Sequence, residues 1–235
     1  MIDVMKNIIL FKIKFCRISI LALLASLLFV SGCGKTFSAP AFTGALLDSV
    51  CKADYTDYSE FTGVTTADLS AQREDLIDEK VDTLIAMYGN LRPSSACRED
   101  IRNFINMLYE QAVYTVSDPR ATAQTGEGSG AEDEAGAIVS VSPILIFSDC
   151  SSDIQKFTDS FNKKNNAHKY KDKTSTQYAD TYLQGVMSIL RDHLGDIRTG
   201  DAVEKNLVYK ENDKGLYTAD PDQIKAVFDL ILPLK

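Results

Sequence analysis

The sequence predicts an α+β fold, a curled antiparallel sheet of about four strands with about six helices packed on one face. Three observations predict it. Several long segments place apolar residues three and four apart, as one buried helix face requires. Two other regions alternate β-branched and polar residues with period two. The order along the chain is helices, hairpin, helices, hairpin, helix, which suits helices collected on one side of a sheet.

The first element is not part of that fold. Lys6, Lys12, Lys14 and Arg17 against Asp3 form a positive leader, followed by the apolar run "ISILALLASLLFV", Ile18 to Val30, and then "SGC". These thirteen residues would span only about 20 Å as a helix, short of a bilayer core of roughly 30 Å. The stretch "FVSGCGKT" also ends like a phosphate-binding loop, but the opening glycine of that motif would have to be Phe29. "VSGC" instead resembles the lipobox of bacterial lipoproteins. That resemblance implies a signal peptide over residues 1–32, cleavage between Gly32 and Cys33, lipidation of Cys33, and a lipidated tether over residues 33–41.

A single domain is then expected over residues 42–235. "TGALLDSVCKADYTDYSEFTG" reads as a helix, a turn at "KAD" and a short helix. "SAQREDLIDEKVDTLIAMYGN" sets Ile77, Val81, Leu84, Ile85 and Tyr88 on one face, with Gly89-Asn90 as a stop. "RPSSACREDIRNFINMLYEQAVY" does the same with Ile101, Phe104, Ile105 and Leu108, capped by Ser94 or Ser95. "AVYTVSDPRATA" and "AIVSVSPILIF" read as two strands. The acidic, glycine-rich run between them predicts a flexible hairpin loop over residues 124–137.

"SSDIQKFTDSFNKK" predicts a helix opened by a capping box of Ser152 and Gln155. "STQYADTYLQGVMSILRDHLGD" predicts a buried helix through Leu183, Val186, Met187 and Leu190 that tolerates Gly185. "NLVYKENDKGLYTA" predicts two strands about an "NDKG" turn, and "DPDQIKAVFDLIL" a helix with Asp220 as N-cap and Pro221 at its first position.

Composition narrows function. Removing residues 1–32 takes four of 25 basic and one of 33 acidic residues, so the net charge becomes −11. Such a chain repels phosphate backbones, and no nucleic-acid partner is expected. The lysine-rich "NKKNNAHKYKDK" reads as a helix end and loop, where cations favour the helix dipole. Cys51, Cys97 and Cys150 are an odd number and permit at most one bridge, so no disulfide framework holds the fold. Only His168 and His193 are available as imidazole ligands, there is no C-x-x-C spacing, and neither metal nor cofactor is expected. Glu132, Asp133 and Glu134 lack the spacing of a calcium loop. No catalytic residue is assigned.

A family resemblance rests on "ALLDSVCKADYTDYSEFTG", "LIAMY", "LYEQAVYTV" and "KENDKGLYTADPDQIKAVFDLIL". Together they resemble uncharacterised lipoproteins of Gram-positive bacteria that carry a cystatin-like or NTF2-like domain of unknown function. The resemblance implies an extracytoplasmic, lipid-anchored protein and no catalytic residues. Binding of an extracytoplasmic protein or small ligand is the expected function, and an enzyme with an acid/base pocket in an NTF2-like cone is the alternative.

Overall fold

The computed structural model describes residues 37–119, 134–211 and 217–234. Helix α1 (Ala39–Cys51) is opened by Ser38, whose Oγ accepts from the Ala41 amide at 3.4 Å, with Pro40 in its first turn. A proline there lacks only an amide that has no helical partner anyway. The ordered fold therefore begins inside the expected tether, before residue 42: Ala39 is buried, and the Phe37 ring stacks on Tyr217 with centroids 4.1 Å apart.

Helix α2 (Thr56–Thr62) ends at Gly63, whose φ of +69° favours glycine. Helix α3 (Thr66–Met87) starts earlier than the apolar periodicity implied, because Thr65 caps it through the Asp68 amide. It stops where expected, with Gly89 at φ +107°. Helix α4 (Ser95–Glu110) is capped by Ser94, which resolves the two expected candidates.

Strands β1 (Val113–Ser117), β2 (Glu134–Ser142), β3 (Val203–Glu211) and β4 (Tyr217–Ala219) form one antiparallel sheet in the order β1-β2-β3-β4. The α+β class and the four strands are as expected. Residues 134–137 correct the hairpin-loop expectation, since they pair with Lys210 to Leu207 as part of β2. Edge-to-edge pairing outweighs a weak apolar pattern there, while residues 124–133 lie outside the described residues, as does the "NDKG" turn.

The second half departs from expectation twice. Pro143 has no amide to donate, and the expected continuation "ILIF" turns into helix α5 (Ile146–Asp149) instead of extending the strand. Helix α6 (Ser151–Asn166) follows directly from Cys150, so Ser152 lies inside it and its capping box does not form. A capping box does form at α7 (Ser175–Asp192): Gln177 donates its amide to Thr174 Oγ1 at 3.2 Å, and Thr174 donates its own to Gln177 Oε1 at 3.0 Å. After a short 3₁₀ turn (Leu194–Asp196) and β3 and β4, helix α8 (Pro221–Ile231) is capped by Asp220 as expected. The described residues hold eight helices, more than the six anticipated.

The sheet turns Ala137, Val139, Val141, Leu207 and Tyr209 toward α1 and α8. Thr115, Ser140, Glu204 and Asn206 occupy the opposite, polar face. Both helices run from the β3–β4 hairpin end of the sheet toward its other end. Thr43 bonds Tyr209 near the start of α1, while Asp48 near its finish accepts from Tyr114. The Ile144 amide donates to the Ile231 carbonyl at the finish of α8, at 3.0 Å.

Gly185 lies under the Phe157 ring, a contact that periodicity along the chain does not reveal. A Cβ built there would lie 2.1 Å from Phe157 Cζ, so α6 and α7 approach closely at this point. Gly185→Ala should lower stability even though alanine gains about 1 kcal/mol of helix propensity, because overpacking costs roughly 1–3 kcal/mol. In a Phe157→Leu background the same change should become stabilising. Denaturant midpoints of the four proteins in the cycle decide this, and equal effects in both backgrounds would refute the contact.

Candidate functional site

Gly32 and Cys33 lie outside the described residues. Among the other cysteines, Cys51, Cys97 and Cys150 are all buried and unpaired. Burial pushes the Cys51 thiol up to about 12 and Cys97 to about 11, and raises Cys150 too. The thiolate is the reactive and metal-binding form, so these thiols are inert packing residues. His168 is exposed in the loop after α6, with φ +60°, and His193 faces the Ile189 carbonyl through Nδ1. No group of three potential metal ligands occurs among the described residues.

A partly buried set of interacting ionisable groups lies where α3 meets α8. On α8, Lys225 and Asp229 are one turn apart and form an ion pair. Lys80 on α3, whose side chain is only 12 % exposed, donates to the same carboxylate at 2.6 Å. Burial alone would raise the pKa of Asp229. Hydrogen bonds from Lys225 and Lys80 outweigh it, and the carboxyl is held below its ordinary value.

Next to Lys80, Glu79 shifts the other way. Burial raises its pKa, assisted by the negative charges of Asp229 and Asp82, and the nearby lysines do not fully offset this. Its Oε2 is buried without a protein partner, and so is the phenol oxygen of Tyr109 at the end of α4. Tyr109 is fully enclosed; burial pushes its pKa well up, with Cys51, Asp229 and Glu79 adding to the effect.

Two carboxyls with opposite shifts are the raw material of acid/base chemistry. The neighbourhood argues for a structural role. Both lysines are occupied by Asp229, and Tyr109 is sealed from solvent. Elsewhere, Arg102 joins Glu74 at 3.0 Å and Asp78 across the α3–α4 interface, and Lys52 holds Asp48 at 2.7 Å beside Tyr114. The Arg102 pairs tie α3 to α4, whereas Lys52 and Asp48 pair within the last turn of α1. The i, i+4 spacing of Lys225 and Asp229 is legible in the sequence, whereas the approach of Lys80, Glu79 and Tyr109 is set only by helix packing.

No protein-family model matches the chain, and no curated protein matches it. Among solved structures, a candidate lipoprotein (ycdA) from Bacillus subtilis is similar, with a TM-score of 0.54 and 16% identity over 84% of this chain. This chain spans 56% of that protein's length. At such identity the similarity shows a shared fold.

Asp229→Asn should destabilise the domain by about 1–3 kcal/mol by leaving the buried Lys80 ammonium without its carboxylate, toward the low end because Asp229 is half exposed. Urea titration at neutral pH measures it. Glu79→Gln should act oppositely. A raised folded pKa means that ionising Glu79 costs stability as pH rises through that pKa. The variant should therefore melt higher than the parent at pH 7, and the gain should fade as pH falls below the ordinary glutamate range. A pH-independent difference would contradict the assignment.

Proposed function

We propose that this chain is a bacterial lipoprotein held on the extracytoplasmic face of the cell membrane by a diacylglyceryl group on Cys33, the signal peptide 1–32 having been removed after Gly32. Its α+β domain serves there as a non-catalytic module that binds a protein or small ligand. The observation that carries this reading is "VSGC" directly after thirteen apolar residues and a basic leader. The fold shared with the Bacillus subtilis candidate lipoprotein supports it, as does the arrangement of helices on one face of an antiparallel sheet. That layering also suits the finer resemblance to cystatin-like or NTF2-like lipoproteins of Gram-positive bacteria.

Anchoring through one residue is energetically sufficient. Each buried methylene contributes about 0.8 kcal/mol, and two acyl chains exceed the marginal binding of one. Among the described residues, no helix is long and apolar enough to cross a membrane. The net charge of −11 after cleavage provides no general attraction to anionic lipid.

An enzymatic reading has one observation in its favour, the opposite shifts of Glu79 and Asp229. The enclosure of Tyr109 and the engagement of both lysines weigh against it.

Cys33→Ala should abolish incorporation of a metabolic fatty-acid analogue and leave either uncleaved precursor or protein cut by another peptidase. Undiminished label on that variant would show that Cys33 is not the lipidated residue.

A further inference from the structure

The position of Phe37 determines which end of the domain meets the bilayer, given the lipidation of Cys33 on which this inference rests. Only Gly34, Lys35 and Thr36 lie between Cys33 and Phe37, so four residue steps reach at most about 14 Å when fully extended. Phe37 is firmly seated. It stacks on Tyr217 at 4.1 Å and meets Tyr209 and Phe42 edge-on or tilted at 5.6 and 5.7 Å. Tyr217 opens β4 opposite Glu211, the last residue of β3, so Phe37 belongs to the hairpin end of the sheet. The start of β2 pairs beside it, Glu134 with Lys210.

The rest of the molecule extends from the other end. Strand β2 covers nine residues, roughly 30 Å, and Val113 pairs with its final residue Ser142. Arg73 of α3 donates to the Val50 carbonyl at the finish of α1, at 2.7 Å, and α3 continues from Arg73 to Met87 for about 20 Å more. There Tyr88 meets Tyr182 and the Ser94 amide donates to Asp180 at 2.7 Å, so the α3–α4 turn and the α6–α7 hairpin share one pole. That pole carries exposed Lys171 and Lys173.

We infer that the hairpin end of the sheet, around Phe37, Glu211 and Tyr217, is the surface that contacts lipid headgroups, and that the α3–α4 and α6–α7 pole is carried away from the bilayer. Chain length imposes this contact. Charge does not, because the processed chain is strongly acidic.

The native cysteines suit a direct test. Cys51, Cys97 and Cys150 are at most 3% exposed, and the Cys33 sulfur is consumed by lipid, so an introduced surface cysteine can be labelled selectively. The full-length chain is expressed in a bacterium, and its processed, lipidated form is purified, checked by mass analysis of the N-terminal peptide, and labelled with a fluorophore at Glu211→Cys or Lys173→Cys. Each is bound to phosphatidylcholine vesicles containing a headgroup nitroxide lipid. The Glu211→Cys label should lose most of its emission and the Lys173→Cys label little. An insert of about twenty Gly/Ser residues after Lys35, a coil of roughly 25 Å, should abolish the difference. Equal quenching at both sites with the native tether, or a difference that survives the insert, would overturn the inference. An N-terminal peptide without lipid would instead refute the anchoring itself, a separate outcome.

Discussion

The burial of helix α1 is the constraint on which the other layers depend. Of its thirteen residues, nine are buried, including Thr43, Ser49 and Cys51 as well as the apolar set. A helix covered nearly all round cannot display one wet face, and α1 touches the sheet on one side and α2, α3 and α4 on the others. Its polar groups are accordingly satisfied in place. Thr43 shares a hydrogen bond with Tyr209 at 2.8 Å, Ser49 donates to the Leu46 carbonyl at 2.8 Å, and the Val50 carbonyl receives Arg73. Leaving any of these unpaired would cost about 1–3 kcal/mol, comparable to losing a buried methyl group or two.

Because α1 is central, its two ends organise two different neighbourhoods. The first turn gathers Phe37, Phe42, Tyr58, Phe61, Tyr209 and Tyr217 into one aromatic cluster, a large area of apolar burial beside the sheet hairpin. The last turn leads to charged and polar ties: Asp48 with Lys52 and Tyr114, then Arg73, and across α3 the Lys80–Asp229 pair. The exposed Asp48–Lys52 pair is worth about 0–1 kcal/mol, whereas Arg73 and Lys80 are largely buried donors whose partners matter more. Their effect is to fix the relative placement of helices whose apolar faces supply most of the stability.

That division of labour bears on function. The region between α3 and α8 has shifted carboxyls, yet every cation in it is already paired, so its chemistry is directed inward. Phe37, where the described residues begin, sits at the opposite, aromatic end. Under the lipoprotein reading proposed above, attachment falls at one end and a large helical surface at the other.

How much was legible in the sequence follows from the range of each interaction. Local patterns were sufficient for α3, α4, α7 and α8, whose apolar spacing, Ser94 and Asp220 caps and Gly89 stop act within a few residues. They were sufficient for the alternation of β1 and β2. Long-range packing decided the rest. Phe37 belongs to the domain because Tyr217, far along the chain, offers it a ring. Gly185 is crowded because Phe157 lies against it. Residues 134–137 are a strand because β3 pairs with them, and Ser152 fails to cap because α5 delivers the chain already turning. Glu79 and Asp229 are each an acidic residue next to or near a lysine in the sequence, and only the approach of α3 to α8 makes one resist ionisation and the other favour it. Propensity and periodicity are carried by neighbours along the chain, whereas burial and charge environment are set by neighbours in space.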